Sequence, residues 1–245
     1  MTFCIGIRVR EGVVVLADTR VVRGSEISQK AKLSMFTVGG HDVALMTSGL
    51  RSVRDKVVAR VDDELAEGET HARLHNFASA YGGALRSVRD EDGAALSRSG
   101  FTFNSHAILG GQLLDDAEPT LLHVYPEGNW VEATDDAPYF MIGRTAYGKP
   151  ILDRLLTVES TLRQAVSLAY LAFDATRASA NDVDFPVDVA VMTKNDKQFT
   201  QRRFILDDLA QVHAEWQAHL RSALDELPST WTDELLGPVE DEPST

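Results

Sequence analysis

The sequence predicts an α/β (α+β) fold of four layers, αββα, in which two antiparallel sheets lie between layers of helix. Strand-like runs fill residues 3–46, helical periodicity takes over across 50–88, and strands return over 101–142. Helices then occupy 149–177 and closing strands 187–206. That order of strands, two helices, strands, two helices and strands lacks the strand–helix–strand alternation of a parallel sheet, so the sheets should be antiparallel with helices outside them.

Phe3-Cys4-Ile5-Gly6-Ile7-Arg8-Val9 alternates as a half-buried strand does, with Phe3, Ile5, Ile7 and Val9 on one face and Cys4 on the other. Arg10-Glu11-Gly12 is a turn, and Gly12-Val13-Val14-Val15-Leu16-Ala17 returns as a strand buried on both sides. Met35–Val38 and Val43–Met46 flank Gly39-Gly40-His41-Asp42, a hairpin signal that makes His41 a solvated turn residue. Leu50, Val53, Val57, Val61 and Leu65 mark a helix ending near Gly68; Leu74, Phe77, Tyr81, Leu85 and Val88 mark a second. Gly82-Gly83 in the second would be a flat spot for a neighbouring helix. His71 and His75 have the spacing of a zinc pair, but Ala72 stands where a catalytic glutamate would follow and there is no third ligand. They read as a helix surface, and neither metal nor cofactor is expected.

Glu91 to Gly100 reads as a polar connection. Strands are expected at 101–110, 120–125, 130–134 and 139–142, helices at 149–156 and 162–177, and strands at 187–193 and 203–206. This gives one domain over residues 1–207. Leu209, Val212, Trp216, Leu220 and Leu224 then mark an amphipathic helix over 208–227, suited to assembly, and 228–245 is an acidic tail expected to be largely disordered.

A single cysteine excludes internal disulfides and fits the cytoplasm. The net charge of −13 argues against nucleic acid and anionic membranes. Neither a basic leader with an apolar run nor an apolar stretch near eighteen residues occurs, so no signal peptide or span is expected.

The chemistry gathers at the beginning. Removal of Met1 would leave Thr2 with a hydroxyl and a free α-amine on one residue. Such an amine titrates at about 7.7–8.0 and can serve as the base that a threonine nucleophile needs. The return of the first hairpin carries Asp18 back beside the start of the first strand. Lys32 follows in a polar segment, with Lys30 as its competitor. An ammonium would favour loss of the hydroxyl proton, and a carboxylate would fix that ammonium. An opening Met-Thr is common and alone reads as a strand start; the three residues and the hairpin together make the case.

Thr-x-x-x-Gly-Ile followed by Gly-Val-Val-Val-Leu-Ala-Asp-x-Arg resembles the N-terminus of proteasome β subunits. Ala107-Ile108-Leu109-Gly110-Gly111, Leu121 to Gly128, Phe140-Met141-Ile142-Gly143 and Val187 to Thr193 are similar to later family strands, in the same order. Met-Thr-aromatic-Cys and Tyr147-Gly148-Lys149-Pro150-Ile151-Leu152-Asp153-Arg154 resemble the bacterial ancestral-β-subunit branch, Anbu. The resemblance implies an N-terminal-nucleophile hydrolase fold, with Thr2 as nucleophile, Asp18 and Lys32 as its charged partners and Gly49 as the oxyanion donor. It places Val21 beside the substrate and gives Ser179 and Asp182 a secondary role near the amine. Arg144-Thr145 stands where the family has Ser-Gly.

The implied activity is that of a threonine peptidase on a peptide or modified peptide, inside a homo-oligomer shaped as a ring or open helical washer. A functional link to ATP-grasp and transglutaminase-like proteins is implied too. The alternatives are a proteasome-like scaffold with weak or no activity and an acylase of small amides.

Overall fold

The computed structural model describes residues 2–68, 71–228 and 230–237. The chain divides into two compact units at Ile205/Leu206. In the first, β1 (Phe3–Val9) and β2 (Gly12–Asp18) form the expected hairpin. A small hairpin follows, β3 (Arg20–Arg23) with β4 (Glu26–Gln29), which the apolar pattern does not announce because β4 is exposed throughout. Then come β5 (Leu33–Val38) and β6 (His41–Gly49), and helices α1 (Arg51–Ala66) and α2 (Leu74–Arg98). Strands β7 (Ser105–Gly111), β8 (Thr120–Val124), β9 (Trp130–Glu132) and β10 (Tyr139–Gly143) come next. Helices α3 (Lys149–Leu155) and α4 (Leu162–Ser179) precede β11 (Val187–Thr193) and β12 (Thr200–Phe204).

One sheet runs β10-β1-β2-β11-β12 and the other β5-β6-β7-β8-β9, with every pairing antiparallel. The alternation in β1 explains the layering. Cys4 joins Val13, Val15 and Ala17 against Ala44, Met46, Ile108 and Leu121 of the second sheet, so this apolar layer lies between the sheets. Phe3 points the opposite way and meets Phe173 of α4 edge to face, with ring centres 5.9 Å apart. On the far side of the second sheet, Val43, Leu45, Ala107, Leu109 and Leu122 pack with Val53, Val57, Val61, Phe77 and Leu85 of α1 and α2. The four-layer αββα sandwich is therefore the observed fold.

Several local expectations are corrected. The polar stretch after Glu91 does not break the helix, because α2 continues to Arg98 with its outward face carrying those polar residues. His41 is 8% exposed, and its Nδ1 lies 2.9 Å from the carbonyl of Gln112, so it is no solvated turn residue. His71 precedes α2 while His75 lies within it; they face different rings, Phe77 and Trp130, and form no pair. A Cβ on Gly82 would come within 2.1 Å of the Gly128 carbonyl oxygen, so the flat spot serves the β8–β9 turn and not a helix. The last strand sits at Thr200–Phe204, several residues earlier than its apolar content suggests, because arginines pair in it as readily as aliphatics do at an edge.

The second unit comprises a 3₁₀ turn at Asp207–Leu209, α5 (Ala210–Asp225) and α6 (Thr230–Leu236). The segment expected to be a disordered tail thus contains a short helix; residues 229 and 238–245 of it lie outside the described residues. No helix among the described residues is long and apolar enough to cross a membrane.

Candidate active site

Thr2 sits where β1 begins, and three elements converge on it. The first is β10, paired antiparallel with β1 so that Gly143 lies opposite Phe3. The Thr2 carbonyl accepts the Arg144 N–H at 2.7 Å. Gly143 has φ +91°, and a Cβ there would lie 1.8 Å from the Thr2 carbonyl oxygen. Only glycine allows this approach.

The second element is β2. Its last residue, Asp18, is fully buried, and Oδ1 accepts the Phe3 N–H at 2.8 Å. The third is the strand-free stretch leading into β5. From it, the Lys32 ammonium donates to Asp18 Oδ1 at 2.6 Å and to the Arg20 carbonyl at 2.7 Å. Lys32 is 8% exposed, whereas Lys30 is exposed, so Lys32 and not its competitor reaches the carboxylate. Burial pushes the Asp18 carboxyl above its ordinary value, and the Lys32 charge and the Phe3 and Arg20 N–H groups oppose that rise. A buried pair of this kind costs desolvation on both sides; Oδ1 takes both the Phe3 N–H and the ammonium, while Oδ2 is buried without a hydrogen-bond partner among the described residues.

Gly49 closes β6 with φ +117° and is opposed in register by Ser105; a Cβ on it would lie 1.8 Å from the Asn104 carbonyl oxygen. Thr2, Val21, Lys32, Gly49, Arg54 and Gly143 all line one cleft of about 990 Å³. Ser179 and Asp182 lie apart from it, in a smaller recess of about 370 Å³ with Arg144 and Tyr147. There the Arg144 guanidinium grips Asp182 at 3.1–3.3 Å through Nε and Nη2. Burial works against ionisation of Asp182, but the carboxyl lies below its usual range, lowered chiefly by the hydrogen bonds from Arg144 and then by its charge. Arg144, which stands where the family has serine, and Asp182, the secondary candidate, are therefore partners, and the pair connects to Thr2 through the Arg144 N–H. Met1 lies outside the described residues.

Cys4, one residue beyond Phe3, is fully buried, and burial drives its thiol well above the ordinary value, so it supplies no thiolate. Among the described residues no three His, Cys, Asp or Glu side chains group as metal ligands.

A histidine pair escaped the sequence reading. His106, on the cleft wall, has Nδ1 3.1 Å from Nε2 of His123, and His123 packs on Tyr125 and Phe140. Ile108, not His106, is the partner of His123 in register, so only the known pairing brings the two rings together diagonally on one face. Burial, and then the neighbouring His106, lower His123 from 6.5 to about 4. Between those values the unfolded chain binds a proton that the folded chain refuses, so stability should be full above 6.5 and decline as pH falls toward 4. Because the ring is partly solvated, the expected loss is only about 1–2 kcal/mol. Urea midpoints at pH 7 and pH 4.5 for wild type and His123→Phe measure it; the variant should show the smaller fall.

The layering and chain order are those of the N-terminal-nucleophile fold of proteasome type. The proteasome subunit family profile matches residues 2–192, and the chain belongs to that family. Proteasome subunit beta 1 of Pyrobaculum neutrophilum is 27% identical over 80% of this chain and 92% of its own length. Among solved structures, an Anbu (Gly-1) mutant from Hyphomicrobium sp. strain MC1 is 32% identical, with a TM-score of 0.85 over 93% of this chain and 98% of that one. Anbu (ancestral beta-subunit) from Yersinia bercovieri is 29% identical with a TM-score of 0.84, covering 92% of this chain and 97% of its own. A helical assembly of the Anbu complex from Pseudomonas aeruginosa gives a TM-score of 0.86 at 27% identity, over 93% and 97% of the two chains. The fold lies in the Anbu branch.

Proposed function

We propose that the chain is an N-terminal threonine hydrolase that cleaves peptide or modified-peptide amides, in the cytoplasm, within a homo-oligomer. The observation that carries this reading is the buried Lys32–Asp18 pair, bonded to the first strand one residue from Thr2 and open on the lysine side to the cleft. Removal of Met1 frees the Thr2 amine. That amine takes the Oγ proton as Oγ bonds to the substrate carbonyl carbon. The Lys32 ammonium favours the developing alkoxide, Asp18 holds the ammonium, and the Gly49 N–H receives the oxyanion. Collapse breaks the C–N bond, the amine proton goes to the leaving nitrogen, and water then releases the acyl group and regenerates the hydroxyl. Val21 flanks the substrate backbone. The helical assembly of the Pseudomonas aeruginosa relative supports the oligomer, and the functional link to ATP-grasp and transglutaminase-like proteins belongs to the same reading.

A second reading, an assembling scaffold with little activity, has one observation in its favour. Asp182, the secondary candidate for supporting the amine, is engaged by Arg144. Intact mass after treatment with a threonine-directed β-lactone separates the two. Wild type should lack Met1 and gain one adduct, and Thr2→Ala should gain none. Retained methionine, or equal labelling of both proteins, would sink the hydrolase. A peptide-library screen then tells a peptidase from an acylase of small amides.

A further inference from the structure

The cleft carries a cationic wall that the mechanism does not use. Arg51 and Arg54 of α1 and Lys30 all line it, against a single exposed acid, Glu26. In a protein of net charge −13, such a concentration of positive charge runs against the overall balance.

Arg54 is the informative member. Its side chain is 22% exposed, and Nη2 donates to Ser34 Oγ at 2.6 Å. Nη1 reaches Asp55 Oδ1 at 3.3 Å, while the same carboxylate takes Arg51 Nε at 3.1 Å. Two guanidinium groups thus share one carboxylate. Arg54 Nε is enclosed and has no acceptor, so an anion in the cleft would meet only the terminal nitrogens, each of which carries two N–H groups. A guanidinium so incompletely satisfied is suited to a bidentate anion. The local sequence gives a second sign: α1 has no side-chain cap and no acid in its first turn. Two arginines therefore stand where the helix dipole favours negative charge.

Ser34 and Arg54 line the same cleft as Lys32 and Gly49, so the Arg54–Ser34 contact is part of the wall around the two groups that the proposed reaction places at the scissile carbonyl. The same cleft also carries aliphatic side chains, those of Val21, Ala31 and Leu50. An aliphatic stem ending in a carboxylate matches that combination of groups.

We infer that the cleft selects an acidic side chain, glutamate or aspartate, on the residue whose carbonyl Thr2 attacks, and that Arg54 is the specificity determinant. The assignment of which bond is cut rests on the hydrolase reading; the binding preference does not. The test therefore uses the full-length Thr2→Ala protein and measures affinity, not turnover. The probes are acetyl-Ala-Ala-Ala-Glu-amide, its isosteric glutamine counterpart and the lysine counterpart, followed by calorimetry. The glutamate peptide should bind at least about tenfold more tightly than the glutamine peptide, with the gap shrinking in high salt. Arg54→Gln should erase the gap, Arg54→Lys should keep part of it, and Arg54→Glu should turn the preference toward lysine. Equal affinity for the glutamate and glutamine peptides, no binding of either, or a preference that survives Arg54→Gln overturns the inference. Failure of lactone labelling at Thr2 would remove the hydrolase and leave this result standing by itself.

Discussion

Lys32→Met is expected to destabilise the fold by about 3–5 kcal/mol, the usual cost of removing one partner from a buried ion pair. Asp18 is fully buried and tied to the Phe3 N–H, so its charge has no route to water when the ammonium goes. Methionine matches the lysine stem in length, which limits the cavity left behind. The double variant Asp18→Asn/Lys32→Met keeps an acceptor for Phe3 without the charge. It should recover at least about 1–2 kcal/mol relative to the single change, because contacting residues couple by amounts of that order. Urea denaturation of wild type, both single variants and the double variant completes the cycle. Additive losses would mean that the two side chains do not stabilise one another, and that the charge arrangement beside Thr2 has been misjudged.

Gly143→Ala is the second large effect. The added methyl would meet the Thr2 carbonyl, and the backbone would be held at a left-handed φ that alanine resists. Gly39 provides the control, since its φ is +58° and a Cβ there meets nothing within 4 Å. Gly39→Ala should cost about 1 kcal/mol of backbone strain alone. Gly143→Ala should cost about 2–4 kcal/mol and displace Thr2. On the hydrolase reading, a displacement of about 1 Å is worth roughly 100-fold in acylation rate. The comparison of lactone labelling rates in the two variants reads this directly. Equal rates would show that β10 does not position the first residue.

How much of this was legible in the chain depends on whether a feature is local. The first hairpin was, because a tight turn at Arg10-Glu11-Gly12 leaves no freedom in where Asp18 returns. The choice between Lys30 and Lys32 was not: both have the same parity, and only the path out of β4 carries the later one to the carboxylate. Arg144 with Asp182, and Arg54 with Ser34, join residues far apart in sequence, and no periodicity reports such meetings. His41 misled for the converse reason. A hairpin signal locates a turn but says nothing of the Gln112 carbonyl that comes to cover it. The layer order was legible because alternation in β1 decides which face each side chain serves, whatever its eventual neighbours.

Asp18 ends a strand of one sheet, Lys32 directly precedes a strand of the other, and Gly49 ends that second sheet's next strand. Neither sheet alone contains the set. On the hydrolase reading, possession of these residues is not enough for chemistry: the set forms only when the two faces close upon each other, so competence would wait on tertiary assembly as well as on trimming of the first residue.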